Sequence, residues 1–152
     1  MKNQFIANEL RLTYYKNESL NVSDFKKLNC SDTLSNAFRK IWNNNEIEIR
    51  ESFYAIYLNT ALKAVGYFKI ADGGVDSVVV DLRLLITPAL LSNAKFVAIA
   101  HNHPSGCLTP SQTDKIITEQ VVKACGIMQM KLIDHIILCA EGYYSFSDNG
   151  GV

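Results

Sequence analysis

No apolar run in this chain approaches the roughly 18 residues that a membrane-spanning helix needs, and no apolar leader follows the polar Met1-Lys2-Asn3-Gln4. Proline and glycine are scarce, at 3 and 8 of 152 residues, which excludes collagen-like and low-complexity architectures. Neither charge is in excess: 15 Lys and Arg balance 15 Asp and Glu. Nucleic-acid binding driven by overall basic charge is therefore excluded, leaving room only for a local patch. The four cysteines, Cys30, Cys107, Cys125 and Cys139, form no C-x-x-C pair, so they read as reduced thiols of a cytoplasmic protein. What remains is a 48% hydrophobic, 20% charged chain, expected to fold as one domain over residues 1–152 with a substantial core.

Hydrophobic periodicity predicts a mixed α/β order. Alternating Leu10, Leu12 and Tyr14 suggest a strand in residues 4–15, followed by a polar loop. Ser31 or Asp32 is positioned to cap a helix to about residue 44, with Leu34, Phe38, Ile41 and Trp42 on one face. Residues 51–59 and 62–70 read as a hairpin, Asp72-Gly73-Gly74 as a turn and 77–80 as a short apolar strand. Asp81 caps a helix to about residue 93, which Pro88 is expected to kink or split. Residues 95–101 and 131–140 read as buried strands, and a helix over 112–125 should turn Ile116, Ile117, Val121 and Ala124 inward. A last strand covers 143–146, and the tail should fray.

Two of the three histidines fall in one segment, His101-Asn102-His103, at the end of the strand over 95–101. Pro104-Ser105-Gly106 and then Ser111-Gln112-Thr113-Asp114 follow. Ser111-x-x-Asp114 is by itself a capping box, with the acid favoured by the helix dipole. The same residues also suit a metal. Side chains two apart on a strand leave one face, with Cα atoms about 7 Å apart, so both imidazoles can converge on one ion. Asp114 would supply a third ligand, and a catalytic zinc site keeps three protein ligands and one open position. A hydrolase then needs a carboxylate near the attacking water. Glu51 is the best placed, with Glu46 and Glu48 as weaker alternatives on a polar edge.

A glutamate, H-x-H, seven residues and S-x-x-D make up the JAMM signature of the JAB/MPN metallohydrolases, which this sequence resembles over residues 101–114. More closely, A-H-N-H-P-S-G with P-S-x-x-D is similar to bacterial RadC-like proteins. So are V-D-x-R at 80–83, L-x-D-H-x-I at 132–137 and the ending E-G-Y-Y-S-F. The strand from Glu51-Ser52-Phe53 to Leu58-Asn59 matches the segment that precedes the motif in that family. The resemblance spans residues 35–149 and implies a JAB/MPN α/β fold, a mixed β-sheet sandwiched by helices and related in shape to cytidine deaminases. It implies one zinc ion on His101, His103 and Asp114, with Glu51 shuttling the proton of the attacking water. Ser111 would stabilise the oxyanion, which still leaves it able to cap the helix. The implied reaction is hydrolysis of a peptide or isopeptide bond in a peptide or protein substrate. Residues 1–34 carry no G-x-G hairpin, so the helix-hairpin-helix segment of full-length relatives is not expected. The family's DNA-repair label draws no support from the composition.

Other readings compete. Two histidines and a carboxylate also make the facial triad of non-haem iron oxygenases, although there one ligand normally comes from a distant strand. The literal H-N-H suggests a nuclease, which the neutral charge disfavours. A non-catalytic binding module tied to DNA metabolism or mobile elements is a further alternative, disfavoured by the intact ligand set. Cys107 reads as a small loop residue or a redox-sensitive thiol near the ion. His135 reads as a core histidine with a backbone partner, or as a support for the metal ligands.

Overall fold

A computed structural model of the chain describes residues 27–74 and 77–152. The strand expected within 4–15 lies outside the described residues. Five strands form one mixed sheet in the order β2-β1-β3-β4-β5. They are β1 (Ser52–Leu58), β2 (Ala64–Asp72), β3 (Phe96–Asn102), β4 (Lys131–Leu138) and β5 (Tyr143–Ser145). Only β3 and β4 run parallel, and helix α3 (Gln112–Ile127) crosses between them. Helix α1 (Ser31–Ile41) packs on one face of the sheet; α2 (Leu82–Leu91) and α3 pack on the other. The pattern predicted this mixed α/β order, and the resemblance implied its sheet sandwiched by helices.

Strand alternation sorts the core into two layers. Tyr54, Ile56, Leu58, Ala98, Ala100, Ile136 and Leu138 face α1 with Leu34, Phe38 and Trp42. Phe53, Ala55, Tyr57, Val97, Ile99 and Leu132 face α2 and α3. Because β1 lies inside the sheet and is covered on both sides, all seven of its residues are buried. Burial of this apolar surface, at about 25 cal/mol per Å², is the main stabilising term.

Several details differ from the sequence expectation. Cys30, not Ser31 or Asp32, occupies the N-cap of α1, where Thr33 hydrogen-bonds back to the Cys30 backbone. Helix α2 is not split by Pro88 but runs unbroken from Leu82 to Leu91; the proline stands near its C-terminal end, so only the one N–H that would reach the Leu84 carbonyl is lost. Asp81 caps it as expected, accepting from the Arg83 N–H. Residues 77–80, expected as a strand, join no sheet: Val78 and Val80 pack toward the core while Val79 stands exposed. The buried stripe of α3 is Asp114, Thr118, Val121 and Cys125, and Ile116 is exposed. The C-terminal tail turns back on itself, with the Asn149 and Gly151 N–H groups bonding the Phe146 carbonyl. No helix among the described residues is long and apolar enough to cross a membrane.

Candidate metal centre

The carboxyl end of β3 faces the start of α3, the kind of position where open α/β sheets place their ligands. His101 is the penultimate residue of β3, in register with Phe53 of β1 and Ile137 of β4. It is buried, and its ring lies parallel to Phe53, with centroids 6.0 Å apart. His103 follows the strand's end, still tied to it by its N–H to the Leu138 carbonyl. A tight turn then closes with the Gly106 N–H on the His103 carbonyl. Gly106 has φ of 78°, a left-handed conformation that glycine adopts without a Cβ penalty. The turn brings the Cys107 carbonyl to the His103 ring, which donates Nδ1–H to it at 2.6 Å. Cys107 thus acts here through its backbone; its thiol is exposed and lowered by hydrogen bonds to Thr109.

Asp114 is the third residue of α3, and Ser111 is its N-cap. The expected capping box is present: the Asp114 N–H donates to Ser111 Oγ at 3.1 Å, and the Ser111 N–H to Asp114 Oδ2 at 2.7 Å. This fixes the carboxylate against the imidazoles. His101 Nε2 lies 3.0 Å from His103 Nε2 and 3.1 Å from Asp114 Oδ1. His103 Nε2 lies 3.5 Å from Asp114 Oδ2. Ligand atoms on a tetrahedral ion with bonds of about 2.0–2.1 Å stand about 3.3 Å apart. The three groups therefore have the spacing and the chemistry of a metal-binding cluster. Burial works against the Asp114 charge, yet the two imidazoles beside it and the Ser111 N–H hold its carboxyl well below the usual range. The hydrogen bond to Asp114 raises His103, against the effect of burial.

The cluster opens into a cleft of about 810 Å³ lined by Glu51, Ser111, Ile116 and the 77–80 segment. Glu51, just before β1, is buried at its wall, and its charge adds to the upward shift of His103. Glu48 also lines the cleft, whereas Glu46 is paired with Arg50. Ile116, expected in the core, instead offers apolar surface to the cleft.

Asn102 decides against the literal H-N-H reading. Strand alternation turns its side chain to the opposite face from His101, where it is buried. There its Oδ1 accepts from the Ser52 N–H, and its amide donates to the Ile47 and Arg50 carbonyls. It anchors the segment that carries Glu51, a role that sequence reading missed.

His135 is likewise not the core histidine with a backbone partner at its ring. Both nitrogens meet side chains: Nε2 lies 2.8 Å from His101 Nδ1, and Nδ1 lies 2.6 Å from Thr118 Oγ1. Burial lowers its pKa well below the ordinary value. Thr118 escaped notice altogether; its signal was the position one turn beyond Asp114 on the same helix face.

A model of the RadC-like JAB domain matches residues 28–151, nearly all of the described chain. By that match, which covers more than three quarters of its length, the chain belongs to the RadC-like JAB domain family.

Proposed function

We propose that this protein is a zinc-dependent hydrolase of peptide or isopeptide bonds. The observation that carries the reading is the convergence of His101 Nε2, His103 Nε2 and an Asp114 carboxylate oxygen at one end of an open cleft that Glu51 and Ser111 also line. Zinc held there supplies a Lewis acid for the scissile carbonyl and lowers the pKa of water to about 7. Glu51 takes the proton of the attacking water and returns it to the leaving amine. Ser111 already uses its oxygen as an acceptor for the cap, and its hydroxyl proton is free to donate to the developing oxyanion.

The cleft favours an extended peptide as substrate. Among the described residues, no backbone hydrogen bond reaches Val78, Val79 or Val80. An extended chain added along this cleft wall would be held backbone to backbone. Exposed Ile116 supplies apolar surface across the cleft.

The test is the metal content of the purified protein beside His103→Ala. About one zinc per chain in the parent, lost in the variant, supports the reading and justifies screening peptide and isopeptide substrates. Iron in its place would favour the oxygenase chemistry of two histidines and a carboxylate. No metal after zinc loading would leave a binding module.

A further inference from the structure

We propose that His135 and Thr118 are positioning residues that lock His101 in the tautomer presenting a bare Nε2 to the metal. The inference rests on the metal-centre reading above and on a series of hydrogen bonds with one consistent direction. Thr118 Oγ1 lies 2.6 Å from the Asp114 carbonyl oxygen. A carbonyl only accepts, so the hydroxyl proton is committed there. Toward His135, 2.6 Å away, Thr118 Oγ1 must accept, which places the proton on His135 Nδ1.

His135 is fully buried, and neither ring nitrogen meets a carboxylate. A cation there would be costly to desolvate, so the ring is neutral and its Nε2 is a lone pair. That lone pair receives His101 Nδ1–H at 2.8 Å. His101 is left with a bare Nε2, the atom beside His103 Nε2 and Asp114 Oδ1. The series thus begins on the backbone of one proposed ligand and ends on the ring of another.

The rings are held as well as polarised. Phe146 stacks on His135 with centroids 4.7 Å apart and planes 8° from parallel, and Phe53 lies parallel to His101. The neighbouring Asp134 points to the other side of β4, where it accepts from Ser145 Oγ, the Ser147 N–H and the His135 N–H. It ties β4 to the turn that carries Phe146. Groups that hydrogen-bond the far nitrogen of a metal-binding imidazole set its tautomer and orientation, and their loss typically weakens metal binding 10–100-fold.

The experiment compares the parent with Thr118→Val, Thr118→Ser, His135→Leu and His135→Gln. Zinc affinity is measured by competition with a chromophoric chelator. Loss of about tenfold or more is expected for Thr118→Val and His135→Leu. Thr118→Ser and His135→Gln retain the needed acceptors and should stay within a few-fold of the parent. In parallel, two-bond 1H–15N NMR of the metal-free parent at pH 8 should show His101 protonated at Nδ1, and Thr118→Val should show mixed tautomers. His101 protonated at Nε2 in the parent, or parental affinity in both Thr118→Val and His135→Leu, would overturn the proposal. A parent that binds no zinc would defeat the metal reading, while the tautomer measurement would still decide the hydrogen-bond series.

Discussion

Ser111 and Asp114 are bound to each other twice, each backbone N–H donating to the other's side chain at 2.7 and 3.1 Å. One four-residue motif therefore starts a helix and aims a carboxylate at two imidazoles. The two functions share atoms, and substitution separates them.

Ser111→Ala removes the cap acceptor and the free hydroxyl together. Unfolding in urea should show a loss of about 1 kcal/mol, the usual cost of a missing N-cap. Turnover of a peptide substrate should fall about 10²–10³-fold, the usual cost of one oxyanion donor. Ser111→Asn keeps a capping oxygen and should recover the stability but not the rate. Recovery of both would show that Ser111 only caps.

Glu51→Gln keeps the shape of the side chain at the cleft wall but removes the carboxylate proposed as the base. Zinc content should match the parent while turnover falls at least about 100-fold, the lower end of what a positioned general base contributes. Parental turnover in this variant would assign the proton transfer to another group, with Glu48 the next to test because it lines the same cleft.

Metal affinity should depend on pH through His103. Its hydrogen bond to Asp114 raises the metal-free imidazole above the ordinary value of 6.5. That protonated pair stabilises the metal-free fold fully below pH 6.5, and the contribution is lost as pH rises through the raised value. Zinc needs the opposite state, because Nδ1 is committed to the Cys107 carbonyl and only Nε2 can bind. Chelator competition should therefore show weakening zinc affinity as pH falls through that same value. A flat profile between pH 8 and 6 would contradict this ligand assignment.

Asn102→Leu fills the same space but orphans the Ser52 N–H and leaves the Ile47 and Arg50 carbonyls without the amide. Each orphaned buried group costs about 1–3 kcal/mol, so a loss of at least about 2 kcal/mol is expected in urea unfolding. A change under about 0.5 kcal/mol, as for an ordinary surface site, would mean that the segment before β1 is held by other contacts.

Cys107→Ser should leave zinc affinity unchanged, because the group that meets His103 is the backbone carbonyl and not the thiol. A tenfold loss in chelator competition would show instead that the sulfur is a ligand.

The strand over 96–102, its histidines and the capping box at 111–114 were legible because each is a local pattern: an apolar run, a two-residue spacing and a three-residue spacing. The hairpin of β1 and β2 was legible for the same reason. Ile116, expected inward for its apolar character, lines the open cleft, and the strand expected at 77–80 pairs with no sheet, because an apolar run by itself names no pairing partner. Thr118 and Asp114 were missed as the inward stripe of α3 because the polar residues of a buried site break the rule that hydrophobic residues face in.

The sequence by itself determined which residues the candidate site gathers: two imidazoles two apart, a carboxylate at a helix start and an acid before a strand. Local spacing is enough for that, since strand and helix periods dictate which neighbours share a face. Only the tertiary structure decided how those residues are supported. The parallel pairing of β3 with β4 sets Ile99 opposite His135, and so puts His135 on the same face as His101 and beside its Nδ1. The crossing of α3 brings Thr118 against His135 from 17 residues away in sequence. Such contacts depend on which strands pair and in what register, and no local period encodes either.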